Sequence, residues 1–174
     1  MKITQKQIYW GLGITAGLVT LGFLVRKNQK KIKEVAGEAA QKAQDWLRPV
    51  ITKISSPFGY RTNPVTKQSQ FHNGIDLPVP IGTKVKSPMD GTVENVYSNQ
   101  EGGNQVIILH TNGYRTGYAH LSQALVKKGD KIKKGDTVAL SGNSEISTGP
   151  HVHLTLKDAS GNWMDPAKEI YSIA

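Results

Sequence analysis

The chain has 174 residues, with 22 Lys and Arg against 13 Asp and Glu, a formal net charge of +9, and no cysteine. That length fits one globular domain plus an appendage; the missing thiols exclude disulfides and thiolate-held structural zinc, leaving imidazole and carboxylate, the ligand set of catalytic zinc, for any such ion. The excess charge is local, because residues 1–57 carry ten basic and three acidic side chains (+7) and residues 58–174 carry twelve and ten (+2), so the folded part is nearly neutral and a nucleic-acid-binding function loses its support.

Residues 8–25 are an uncharged run of 18, which as a helix spans about 27 Å, enough for a bilayer core. The expectation is a transmembrane anchor over residues 1–27 that enters the lipid bilayer through residues 8–25. A cleaved signal peptide would have a shorter apolar region and a small-residue cleavage site; here Arg26, Lys27, Lys30, Lys31 and Lys33 follow at once. A buried soluble helix would show a polar stripe, and only Thr15 and Thr20 interrupt the run. Gly13 and Gly17 have a small-xxx-small spacing, a motif too common to set the oligomeric state. Residues 28–48 are rich in Lys, Glu, Ala and Gln, with Ile32, Val35, Ala39, Ala43 and Leu47 near helical spacing, so residues 28–53 are expected to be a membrane-proximal helical linker ended by Arg48-Pro49.

From residue 54 to 174 the texture changes to short β-branched runs punctuated by glycine and proline, at 83–86, 91–97, 105–110, 115–120, 137–141 and 152–157. This predicts a mainly β, compact antiparallel sheet domain. Lys127-Lys128-Gly129-Asp130 recurs as Lys133-Lys134-Gly135-Asp136, which is turn chemistry rather than a solenoid repeat.

Within this domain His72, Asp76, His120, His151 and His153 supply a full set of nitrogen and oxygen ligands for one divalent metal, with histidines to spare, and point to a zinc hydrolase. In Phe71-His72-Asn73-Gly74-Ile75-Asp76 the glycine and the nearby Pro78 and Pro80 argue against helix. On an extended strand His72, Gly74 and Asp76 share a face, and Gly74 leaves space between the ligands for an ion. In Gly149-Pro150-His151-Val152-His153 a strand again puts both imidazoles on one face. His120 ends a predicted strand in Tyr118-Ala119-His120-Leu121-Ser122, and His110, the remaining histidine, is read as a strand-end residue.

Together with Phe58-Gly59-Tyr60-Arg61, Pro80-Ile81-Gly82-Thr83 and Asp90-Gly91-Thr92-Val93, and with Ser147-Thr148 before Gly149, these motifs resemble, in the same order, the lysostaphin-like zinc metallopeptidases that cleave peptidoglycan cross-bridges and stem peptides. The likeness covers residues 56–166. It implies a groove over one sheet with one zinc at its floor, held by His72, Asp76 and His153, and peptidoglycan peptides as substrate. It also makes His120 and His151 the catalytic, non-ligand pair. Three protein ligands leave zinc's fourth position to a water whose pKa falls to about 7. No Glu adjoins the ligands, so one of the two free imidazoles must carry the proton. The chain departs from the family pattern at Leu154-Thr155-Leu156, where an aromatic residue and a glutamate are common, and in the loop at 142–146.

A catalytically dead relative used as a wall-binding or regulatory module is the alternative, but such members typically lack ligands and here all five positions are filled. A carrier or sugar-binding module would leave the histidines unexplained. Glycine bridges and D-amino-acid linkages both fit as the bond cut. Only Lys2 and Lys6 precede the apolar run, so the positive-inside rule places the domain in the cytoplasm, away from the cell wall. Either the domain is translocated regardless, or the chain belongs to the membrane of a bacteriophage virion and meets the wall on infection.

Overall fold

The computed structural model describes residues 29, 46–63, 67–144, 147 and 149–171. The expected anchor over 1–27, and the linker up to residue 45 apart from residue 29, lie outside them. Among the described residues no helix is long and apolar enough to cross a membrane.

Alternation of apolar and polar residues builds the domain, which is a mainly β, antiparallel fold as the sequence predicts. Among the described residues the strands are β1 (Gly59–Thr62), β2 (Ser69–His72), β3 (Gly74–Pro78), β4 (Lys84–Lys86), β5 (Gly91–Asn99), β6 (Gly103–His110), β7 (Arg115–Ala124), β8 (Lys131–Ile132), β9 (Thr137–Ser141), β10 (His151–Lys157) and β11 (Trp163–Met164). One helical turn, Ala167–Tyr171, follows. The main sheet runs β11-β10-β7-β6-β5-β8, with β3 added to β10 and β9 bridging β7 to β4; β1 and β2 form a separate hairpin. All six runs expected as strands are strands.

On β10, Val152, Leu154 and Leu156 point into the core and are fully buried, while His151, His153, Thr155 and Lys157 face outward. Period two thus divides one strand between a core face and a working face. Each buried aliphatic side chain is worth about 1.5–3 kcal/mol. Ile75, Leu77, Val106, Ile108, Tyr118, Leu121 and Val138 belong to the same fully buried core. The two Lys-Lys-Gly-Asp segments are matching turns. Asp130 and Asp136 accept hydrogen bonds from the backbone amides of Lys127 and Lys133 at 2.9 and 2.8 Å, and Gly129 and Gly135 take φ of +94° and +90°, the left-handed conformation that favours glycine.

Residues 46–53, expected as the end of a helical linker, are neither helical nor separate. Trp46 and Val50 are buried in the domain core, in the same compact unit as the sheet. The Trp46 ring meets His110 edge-on at 5.4 Å between centroids. Tyr171 donates its hydroxyl to the Val50 carbonyl at 2.8 Å, and Arg48 donates to the Tyr171 carbonyl at 3.1 Å. This strap follows from apolar side chains that have a core within reach, which a helix-propensity argument does not see.

His110 belongs to that packing. It is buried, with Nδ1 3.3 Å from the Asp90 carbonyl and Nε2 2.7 Å from Thr116 Oγ1. Burial, offset only in part by hydrogen bonds to the Asp90 and Met89 carbonyls, pushes its pKa down to about 4. The unfolded chain protonates this imidazole near its ordinary value, so its contribution to stability is whole above about pH 6.5 and is lost as pH falls from there to about 4. Urea unfolding at pH 7 and pH 4.5 should show that the wild type loses about 2 kcal/mol more than His110→Gln over that interval; equal losses would contradict a buried neutral His110.

Candidate metal centre and active site

The five candidate residues converge. β3 and β10 pair antiparallel with Asp76 directly opposite His153, and an isolated bridge from Ser56 holds Asp76 from its other side. His72 ends β2, whose hairpin partner Gly59 lies opposite it. His72 Nε2 and His153 Nδ1 are 3.1 Å apart, and they lie 3.2 and 2.8 Å from Asp76 Oδ1. His72, Asp76 and His153 are grouped as donors able to hold one metal ion.

The expected continuous strand from His72 to Asp76 is not formed. It breaks at Asn73, between β2 and β3, so His72 reaches the site from the hairpin and Asp76 from the main sheet. Nor does Gly74 make room for an ion. A β-carbon there would collide with the Leu154 carbonyl and meet Cε1 and Nε2 of His153 at 2.9 and 3.0 Å. The missing side chain makes room for the imidazole that is itself a donor.

Second contacts set the tautomers. His72 Nδ1 is 2.8 Å from the Pro57 carbonyl, an acceptor only, so that nitrogen carries the proton and Nε2 turns a lone pair to the site. His153 Nε2 lies 3.0 Å from Asn73 Oδ1, which leaves Nδ1 unprotonated toward Asp76. Three electron-pair donors thus meet with no proton between them, an arrangement that a cation stabilises. Their separations fit as well, since ligands about 2.0–2.1 Å from a tetrahedral zinc stand about 3.3 Å apart. Burial raises the Asp76 carboxyl, but hydrogen bonds and positive charge from His153 and His72 outweigh it when those rings are protonated and hold the group well below the usual carboxylate range; a cation at the same point takes the place of those protons. Burial pushes His153 down, toward the neutral form a ligand needs.

His120 and His151 stand beside the triad, with ring centroids 4.7 Å apart. His120 is placed by a bulge. Tyr118 pairs with Val106 and Leu121 with Asn104, so Ala119 and His120 oppose Gln105 alone, and His120 takes φ of +59°. A bulge re-aims a side chain in this way, and left-handed backbone at a bulky residue concentrates at functional sites. His120 donates Nδ1–H to the Ser144 carbonyl at 2.9 Å, and His151 donates Nδ1–H to the Gly149 carbonyl at 2.7 Å, with Ser147 Oγ 3.1 Å away. Each therefore keeps Nε2 for the site; that of His151 is 3.7 Å from Asp76 Oδ1. Burial pushes the His120 pKa down, helped by the neighbouring His151 and His153 and opposed by its hydrogen bond to Ser144.

The site opens into a groove of about 1230 Å³. Asn63, Gln68, Gln70, Asn99 and Glu101 are among the residues that line it. Asn73, Pro57, Ser144 and Gly149 were missed as site residues. Asn73 stands inside the His72–Asp76 motif and is the one the sequence could have shown, whereas the other three act through carbonyls that every residue has.

A triad able to hold a metal, with two flanking imidazoles in a groove over a β-sheet, is the arrangement of a metallopeptidase site. The chain belongs to peptidase family M23, whose model matches residues 70–166. It is 50% identical over 103 residues (58% of this chain, 22% of the relative) to an uncharacterised metalloprotease of Haemophilus influenzae. Over 105 residues (60% of this chain, 24% of the relative) it is 48% identical to the peptidoglycan DD-endopeptidase ShyA of Vibrio cholerae. The chain thus spans about a quarter of the length of these relatives. The catalytic domain of lysostaphin from Staphylococcus simulans superposes with a TM-score of 0.61 at 28% identity, covering 76% of this chain and 97% of that one.

If Asn73 sets the His153 tautomer, Asn73→Ala weakens zinc binding roughly 10- to 100-fold, while Asn73→Asp, which still accepts from Nε2–H, retains it. Competition with a chromophoric chelator measures both. Equal losses in the two variants would sink this role.

Proposed function

We propose that the chain is a zinc endopeptidase that hydrolyses peptide bonds in the cross-links or stem peptides of bacterial peptidoglycan. The carrying observation is the convergence of five side chains: three unprotonated donors on one point, and two further imidazoles whose Nδ1 protons are tied to backbone carbonyls so that both Nε2 atoms face it. The peptidoglycan endopeptidase names among the relatives support the substrate class.

His72, Asp76 and His153 would hold the zinc. When bound, it supplies Lewis-acid polarisation of the scissile carbonyl and lowers the pKa of water. The chain's own groups do the rest. His120 and His151 divide two tasks between them: accepting the proton of the attacking water for return to the leaving amine, and stabilising the oxyanion. Burial keeps His120 neutral and ready to accept. The carbonyls of Ser144 and Gly149 prevent either ring from turning away.

With the full chain in mild detergent and purified cell walls, His120→Ala and His151→Ala should each reduce peptide release 10²- to 10⁴-fold with zinc content unchanged, and Asp76→Ala should lose the zinc. Chelator should abolish release and added zinc restore it. Wild-type rates in His120→Ala and His151→Ala would remove both imidazoles from catalysis, and binding to the walls with no release by the zinc-loaded wild type would mean that the fold serves as a binding module instead.

We also propose, from the sequence alone, that residues 8–25 anchor the chain in a membrane and that this membrane is that of a bacteriophage virion, which reconciles the basic residues after the anchor with a substrate outside the cell. Protease added to spheroplasts producing the full chain should leave residues 46–174 intact; digestion from outside would contradict this topology.

A further inference from the structure

The outward face of the sheet continues past the metal site in rows set by strand register. His153 lies opposite Ala119, Thr155 opposite Gly117, and Lys157 opposite Arg115. Gly117 in turn lies opposite Ile107 on β6. The middle row is low, because Gly117 has no side chain and Thr155 Oγ1 stands where its β-carbon would be, at 2.5 Å. The third row is basic. Lys157 is four residues along β10 from His153, about 13 Å at the strand rise, and both Lys157 and Arg115 line the groove.

Two cations directly opposite on one sheet face repel each other and weaken the pairing. One carboxylate stands near: Glu94 takes the Arg115 Nε–H between its two oxygens, at 3.0 Å each. That leaves the other four N–H groups of the guanidinium without a hydrogen bond among the described residues. Lys157 Nζ rests 4.0 Å from the centre of the Trp163 ring, its strand neighbour on β11, and makes no ion pair among the described residues. The ring orients the ammonium without neutralising it. The row thus carries a net positive charge, unfilled donors from two side chains, and an aromatic wall, all open to the groove.

We propose that Lys157 and Arg115 form a subsite for a free carboxylate of the substrate, so that this chain prefers acidic peptides over uncharged ones such as glycine bridges. This rests on the groove binding peptide, as set out above. The two cations would take the carboxylate by charge-assisted hydrogen bonds, and the low row of Thr155, Gly117 and Ile107 lets the intervening peptide lie flat between this subsite and the metal site.

The test uses the zinc-loaded full chain in mild detergent and two cross-linked peptides that differ only in one carboxylate replaced by carboxamide, placed about 13 Å from the scissile bond. Calorimetry gives Kd and peptide release gives kcat/KM for each. The carboxylate form should bind and react about tenfold better, chiefly through Kd and KM, with the advantage shrinking as salt rises. Lys157→Met, which keeps the stem on Trp163, and Arg115→Gln should each bring the ratio toward one without altering zinc content or hydrolysis of the carboxamide peptide. Because Lys157→Met also relieves a like-charge pair, its melting temperature should not fall. A ratio of one in the wild type, or a ratio unchanged in both variants, overturns the subsite. Tenfold tighter binding of the carboxylate form with cleavage of neither would leave the subsite standing and overturn the peptidase.

Discussion

Asp76 opposite His153 in the antiparallel pairing of β3 with β10 is the contact on which the rest of the site depends. Register in a half-buried sheet admits no small error, since a slip of one residue turns every side chain to the other face. Here the register is held from the core side, where Ile75, Leu77, Val152 and Leu154 are fully buried. The working face inherits its geometry from that packing. Gly74 completes the arrangement by leaving the volume into which the His153 ring lies back, so that its Nδ1 meets the carboxylate of Asp76.

The other three imidazoles are added to this pair by different devices. His72 is carried by a hairpin that is a separate sheet and is held at its far nitrogen by the Pro57 carbonyl. His120 is aimed by a bulge and a left-handed backbone conformation. His151 begins the strand that bears His153, with its Nδ1 bound to the Gly149 carbonyl. In each case a main-chain carbonyl decides which ring nitrogen faces the site. The side chains supply the chemistry and the backbone sets their protonation pattern, so substitutions that move these loops should disturb catalysis while leaving the five residues unchanged.

Much of this was legible in the sequence. The six predicted strands are present, and the five residues named from the His-xxx-Asp, His-x-His and Tyr-Ala-His motifs meet at one point. The β-strand period and the short spacing within each motif carry that information locally. What the sequence did not show depends on contacts between distant segments. The interruption at Asn73 arises because β2 pairs with β1 and β3 with β10, two demands a single straight strand cannot meet. The use of Gly74 depends on a ring 79 positions away in sequence. Trp46 and Val50 look like the end of a helical linker until the core that receives them is in view.

The central claim is that one metal ion is held by two imidazoles and one carboxylate while two further imidazoles stand free beside it. X-ray absorption at the zinc edge on the loaded full chain reads the first coordination sphere directly. The account predicts two imidazole rings and low-Z ligands only, with ring scattering unchanged in His120→Ala and His151→Ala and reduced by one ring in His72→Ala or His153→Ala. Three or more rings in the wild type, or loss of a ring with His120→Ala or His151→Ala, would contradict it.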